Sequence, residues 1–207
     1  DLKVKLFTLQ PSIDVAGLSI GNPAWVGRPQ AANIAHARVE LRLLPLFLGR
    51  LILPLVALDK PQLLLVRDKT GRTNWDRNGQ NPNAPLNLPP IRHFSIIQGH
   101  VEIDDAIRKL NFTGSVNSQE VRGGRRHGAF TLKGDGTLNG NTFLAEVKGG
   151  PLIQVDESQP YAFDADVRAG TTHAVVHGRI IHPFHLDRFT AQVDLTGRNL
   201  SELYYLT

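Results

Sequence analysis

Apolar and polar residues alternate along segment after segment of this chain, and that period of two constrains the fold more than any other feature. Val39, Leu41 and Leu43 alternate with Arg38, Glu40 and Arg42, and Val101 and Ile103 with His100, Glu102 and Asp104. Phe163, Ala165 and Val167 alternate with Asp164, Asp166 and Arg168, and Phe189, Ala191, Val193 and Leu195 with Thr190, Gln192, Asp194 and Thr196. A strand with this pattern puts every apolar side chain on one face. The chain therefore builds sheets with one greasy side and offers few helices to cover it. A second sheet, another part of the polypeptide, or a ligand made of hydrocarbon must do so.

With 207 residues the chain is long enough to bury a real core. Hydrophobic residues at 41% and charged residues at 20% exclude disorder. The 19 Gly and 13 Pro suit many turns between short strands. The absence of Cys excludes disulfides, thiol catalysis, Fe–S clusters and Cys-based zinc sites. A net charge of +4 is too mild to argue for a nucleic-acid partner, and none is expected. The chain has no Met and starts in strand alternation at Leu2, so it is expected to be a piece of a longer polypeptide with any anchor upstream. No apolar run reaches the roughly 18–20 residues of a membrane span. The greasiest stretch, Leu41 to Leu58, is broken by Arg42, Pro45, Gly49, Arg50 and Pro54.

Strands are predicted over Leu2 to Phe7, Ser12 to Ile20, Ala37 to Leu44, Leu51 to Leu58 and Gln62 to Arg67. Gln30 to Ile34 reads as a helical turn or loop, and Pro45 to Gly49 as a single helical turn. Asp68 to Arg72 is a turn of hairpin type. Residues Asp76 to Pro90 are polar, rich in Asn and Pro and without periodicity, a linker or mobile loop that divides the chain into segments 1–75 and 91–207. Beyond it the predicted strands are Phe94 to Gln98, Gly99 to Asp104, Lys109 to Val116, Gly128 to Gly134, Gly136 to Leu138, Thr142 to Lys148, Tyr161 to Arg168, Thr172 to Arg179 and Phe189 to Gly197. Turns fall at Gly134–Gly136, Asn139–Gly140 and Lys148–Gly150, and Asn199 to Leu206 reads as a short helix. The expected class is mainly β: antiparallel curved sheets forming an open groove or a sandwich, with a few short helical turns.

Motifs for catalysis are missing: there is no Gly-x-Ser-x-Gly, no phosphate-binding glycine loop and no His-Glu-x-x-His, so no enzyme and no cofactor is expected. His173 and His177 share a strand face and His182 and His185 are three apart, but no carboxylate cluster adjoins them in sequence and they read as solvent-facing, not as a metal site. Arg122, Arg125 and Arg126 form the densest positive patch. It reads as a solvated hairpin tip or as a contact for anionic headgroups. Trp25 and Trp75 each follow a turn at a strand end and read as plugs for the end of an open sheet.

The segments around those two Trp carry a resemblance. Val15 to Pro23, Leu44-Pro45-Leu46-Phe47-Leu48-Gly49-Arg50-Leu51, and Leu63 to Asp68 followed by Asn74-Trp75 resemble, in that order, the N-terminal part of AsmA-like proteins; Gly178 to Ile180 and Leu195 to Tyr204 resemble that family's central region. The resemblance implies a bacterial envelope protein tethered to the inner membrane by an upstream helix, with a β-rich periplasmic body related to bridge-like lipid transfer proteins. It implies phospholipid as ligand, a role in outer-membrane biogenesis and lipid homeostasis, and envelope proteins as partners. Alternation then nominates Val39, Leu41, Leu43, Val101, Ile103, Phe112, Phe130, Leu132, Phe163, Val167, Phe189 and Val193 as the residues lining an acyl-chain groove. A closed sandwich acting as an interaction scaffold is the competing expectation.

Overall fold

The fold was obtained as a computed structural model that describes residues 2–5, 11–75, 90–121, 129–151, 160–182 and 187–197, with side chains from 11 to 180 within these ranges and from 190 to 197. Eleven strands follow one another: β1 (Leu2–Lys5), β2 (Ser12–Gly21), β3 (Gln30–Glu40), β4 (Leu53–Arg67), β5 (Ile91–Asp105), β6 (Leu110–Val121), β7 (Phe130–Leu138), β8 (Asn141–Gly149), β9 (Tyr161–Ala169), β10 (Thr172–His182) and β11 (Asp187–Thr196). A 3-10 turn at Ala24–Val26 follows β2, and one short helix, α1 (Leu43–Phe47), separates β3 from β4. All the strands lie in one sheet in chain order, with β1 and β11 at its edges. The protein is mainly β, as expected, and the sheet stays open. Extensive contacts between elements are confined to strands adjacent in the sheet, so among the described residues no second layer packs on either face. Of the two expected forms the open sheet is the one that forms.

Ten joins connect the eleven strands, and all are antiparallel except β4–β5, which is parallel. A parallel neighbour needs the chain to travel back along the sheet before re-entering it. The return begins at Asp68, whose carboxylate accepts from the Thr70 N–H at 2.8 Å, the Thr70 hydroxyl at 2.6 Å and the Arg72 N–H at 3.0 Å. The predicted hairpin is therefore a tight turn that leaves the sheet: its return limb makes a single bridge, Thr73 to Arg67. Residues 76–89 of the predicted linker lie outside the described residues, and on their far side the Pro90 carbonyl accepts from the Leu53 N–H at 3.0 Å.

Several predicted boundaries are corrected. Gln30 to Ile34 is strand, part of β3, and Leu43 does not continue that strand but opens α1. The two strands predicted between Leu51 and Arg67 are one, and so are the two between Phe94 and Asp104. The breaks in alternation that divided them are single residues with left-handed backbone, Lys60 (φ 49°) and Gln98 (φ 52°), joined on β2 by Gly17 (φ 69°). Each resets the period by one residue without ending the strand. At Gln98 the extra residue is a bulge, with the Gln98 N–H bonded to the Asn117 side chain at 2.9 Å. The turn predicted at Gly134–Gly136 is the middle of β7, whereas Asn139–Gly140 (φ 51° and 84°) is the tight turn expected there. The helix predicted over Asn199 to Leu206 lies outside the described residues.

Candidate functional site

Register carries the sequence alternation across the whole sheet. Directly paired residues share a face, so chains of pairs can be followed from edge to edge. One row runs Leu2, Val15, Ala37, Leu58, Ile96, Ser118, Phe130, Gly149, Phe163, Gly178, Ala191, through all eleven strands. Another runs Ile20, Ala32, Leu63, Val101, Gly114, Gly134, Ala145, Val167, Ala174, Leu195, from β2 to β11. A third runs Gly99, Val116, Leu132, Val147, Ala165, Val176, Val193. Apart from Ser118, every member of these rows is apolar or Gly. The left-handed residues of β4 and β5 keep this true: alternation restarts at Pro61 and Gly99, which returns Leu63 and Val101 to the apolar side.

Burial is uneven along the face. Ile91, Phe94, Ile96 and Val116 form a buried cluster under Leu53, Val56, Leu58, Phe130 and Leu132. Near the two edges of the sheet the same face is open, with Ile20 at 46% and Val193 at 47% exposure. Rings lie flat on glycines in the second half. Phe112 covers Gly114 and Gly134 and stacks on Phe143 with centroids 6.1 Å apart, Phe163 covers Gly178, and Tyr161 covers Gly149. Tyr161 donates to the Gly150 carbonyl at 2.8 Å, and its burial raises its pKa. Polar residues interrupt the face: the Ser118 hydroxyl donates to Glu120 at 2.8 Å, both almost wholly buried, and buried Asp105 and Thr172 stand on it as register partners of Leu110 and Ala169.

The opposite face is charged. Arg38 bonds Asp14 at 2.7 Å, Lys148 pairs with Glu146 at 2.8 Å, and His173 and His177 hydrogen-bond Asp166 and Asp164 at 2.8 and 2.7 Å. Both His thus stand on the polar face: His177 bonds the carboxylate of its strand partner Asp164, while His173, paired with Arg168, reaches the adjacent Asp166. The His173 bond leads the causes that lower the Asp166 pKa. Among the described residues no three His, Asp or Glu come together as metal ligands, and no helix is long and apolar enough to cross a membrane.

Half of the twelve nominated groove residues stand in these rows, and four more pair in register with apolar residues outside them. Val101, Phe130, Leu132, Phe163, Val167 and Val193 stand in the rows above; Val39 pairs with Val56, and Ile103 with Phe112. Phe189 is the register partner of Ile180. Leu41 lies just past β3, its N–H bonded to the Pro11 carbonyl at 3.0 Å, and Leu43 is on α1, away from any strand face. Arg122, Arg125 and Arg126 lie outside the described residues. The two Trp segments, read from sequence as separate plugs, interlock with each other through polar groups. Buried Asn74 accepts from the Val66 N–H at 2.8 Å and donates to the Leu64 carbonyl and to Asn22, both at 2.7 Å, while the Arg72 guanidinium lies 4.9 Å from the Trp25 ring. In the sequence Asn22 and Asn74 stand only as members of the two Trp segments, and the hydrogen bond between them is not expected. Their signal, an Asn beside each Trp turn, was present but not specific.

An open, single-layered sheet, apolar on one face and charged on the other, with its first strands clasped by two Asn–Trp turns, defines the class. An AsmA family model matches residues 1–116, more than half of the chain, and the chain belongs to the AsmA family. It is similar to the AsmA family protein YhjG of Escherichia coli (strain K12), with 28% identity over 222 residues that cover 95% of this chain and 32% of that protein. The chain thus spans about one third of the length of this relative. No solved structure gives a significant match.

Proposed function

We propose that the apolar face binds or conducts phospholipid acyl chains. The observation that carries this reading is the row of apolar residues and glycines, broken only by Ser118, that crosses all eleven strands with no second layer over it among the described residues. A hydrocarbon ligand needs such a surface and little else. Each methylene removed from water contributes about 0.8 kcal/mol, while the hydrogen-bonded ladder leaves no backbone group to be desolvated in the interior of the sheet. Binding of this kind needs no catalytic residue and no cofactor. Membership of the AsmA family supports an envelope role: a periplasmic body tethered to the inner membrane, supporting outer-membrane biogenesis and lipid homeostasis together with other envelope proteins. Headgroups would remain in water, and Arg122, Arg125 and Arg126 are the sequence candidates for contacting anionic ones.

The test is mass spectrometry of organic extracts from detergent-free protein. Stoichiometric phospholipid is expected in the parent and its loss in Phe163→Glu and Phe130→Glu, which put a charge into the eleven-strand row, with β circular dichroism unchanged. Lipid retained by both folded variants would refute this face as the binding surface, and a lipid-free parent would favour an interaction scaffold.

A further inference from the structure

We propose that α1 and the turn after it form a membrane-docking tip that inserts into the interface of an anionic lipid bilayer. This inference does not depend on whether the sheet carries lipid. Helix α1 contributes no buried residue, so it does not serve as a lid on the core. Its side chains instead point outward: Leu44 is 64%, Phe47 82% and Leu48 79% exposed, with Leu46 and Leu51 exposed beside them. So large a cluster of aliphatic and aromatic groups on a short projection is costly in water and marks a contact surface.

Charge and backbone indicate which contact. From Leu41 to Leu58 the chain has no Asp or Glu, and its only charges are Arg42 and Arg50. Among the described residues neither Arg has a carboxylate partner, which they share with Arg92 and Arg179, whereas Arg28, Arg38, Arg67, Arg72, Arg108 and Arg168 each have one. The Nε of Arg42 is buried without a hydrogen-bond partner among the described residues. Two cations without counter-ions at the base of an apolar tip match the phosphates of an anionic leaflet, with the leucines and phenylalanine reaching the acyl boundary. The tip also closes its own backbone. The Pro45 carbonyl accepts from the N–H groups of Leu48 and Arg50 at 3.0 and 2.9 Å, and the Leu46 carbonyl from that of Gly49 at 2.9 Å. Closure of this kind is what entry into a medium poor in water requires.

The chain has no Cys, so Phe47→Cys supplies one thiol for an environment-sensitive dye. Vesicles rich in phosphatidylglycerol should shift the dye to the blue, and spin-labelled lipid should quench it. In flotation, Leu46→Glu/Phe47→Glu/Leu48→Glu should cut vesicle binding at least about tenfold, and Arg50→Ala by roughly fivefold on phosphatidylglycerol vesicles but not on phosphatidylcholine. All four positions are exposed, and unchanged circular dichroism would certify the fold. A dye indifferent to vesicles that bind the protein, or a triple variant that floats like the parent, would overturn the proposal. So would a dye shift that follows protein concentration without vesicles while the solution mass doubles, which would assign the tip to a second copy of the chain. Lipid extraction from Phe163→Glu is read separately, so a failed tip and a failed lipid-carrying face give different results.

Discussion

The two halves of the sheet meet the same geometric demand by different means. A wide sheet with one apolar face cannot stay flat. Strands β2, β4 and β5 bend at single residues of left-handed backbone, Gly17, Lys60 and Gln98. Strands β6 to β10 keep unbroken alternation and instead remove side chains from the apolar face at Gly114, Gly134, Gly136, Gly149 and Gly178; aromatic side chains from neighbouring positions fill the space at all but Gly136, where the β6 backbone does. The first solution stores its cost in backbone conformation, while the second spends it on close approach. They should therefore respond to substitution with opposite signs: glycine is lacking at two of the three left-handed positions of the first half, Lys60 and Gln98, and indispensable at the close approaches of the second.

The largest effect is expected at Gly134. A Cβ there would collide with the Thr113 carbonyl and the Gly114 Cα, and backbone cannot swing aside as a side chain can. Gly134→Val should destabilise by about 3 kcal/mol or more, or prevent folding. Urea denaturation would check it. A loss below about 1 kcal/mol would mean that β6 and β7 can separate at no great cost and that glycine is not what bends the second half.

The halves also differ in what could be read from sequence. In β9 to β11 the predicted strands end within three residues of those observed, because a clean period of two needs only the residues on the page, whereas β6 runs on to Val121, past its predicted end at Val116. In β4 and β5 the same rule failed, since Lys60 and Gln98 carry no side-chain mark of a left-handed backbone. Gly134–Gly136 misled in the other direction: glycine is permissive of turns, and only the Phe112 ring and the β6 carbonyls show that it serves close packing here. Gln30 to Ile34 gains its strand from pairing on both sides, a tertiary effect that outweighs weak local propensity. The parallel β4–β5 join is not encoded in any local pattern. For the candidate site, the face of each in-strand residue was legible from alternation. That eleven strands would align these faces into one surface was not, because register depends on partners far apart in sequence.

A smaller effect of opposite sign is expected in the first half. Lys60 is exposed and makes its left-handed turn at a cost of roughly 1–2 kcal/mol relative to glycine. Glycine also loosens the unfolded chain, which offsets part of that gain. Lys60→Gly should therefore stabilise by about 0.5–1 kcal/mol, seen as a higher urea midpoint at constant slope. A destabilised Lys60→Gly would break the comparison, since it would show the Lys60 side chain supporting the bend instead of enduring it.

The smallest effect belongs to the turn that only the first half needs, the one that starts the crossover to its parallel strand. The Asp68 pKa is lowered from 3.8 to about 2, with the Thr70 side-chain hydrogen bond the leading cause, partly opposed by desolvation and assisted by the Arg72 side chain and by the N–H groups of Arg72 and Thr70. A carboxylate whose pKa falls on folding contributes in full above its ordinary value and loses that contribution as pH falls through the folded value. The turn should hold unchanged from neutral pH to about 4 and weaken as pH falls further toward 2. Following the Asp68 carboxyl carbon by NMR gives the midpoint directly. In Thr70→Ala the midpoint should climb toward 3.8 while β6 to β10 stay folded, because their turn at Asn139–Gly140 rests on backbone conformation and carries no charge. A midpoint unchanged in Thr70→Ala would transfer the anchoring of the crossover to Arg72, whose Nε lies 2.6 Å from the other carboxylate oxygen.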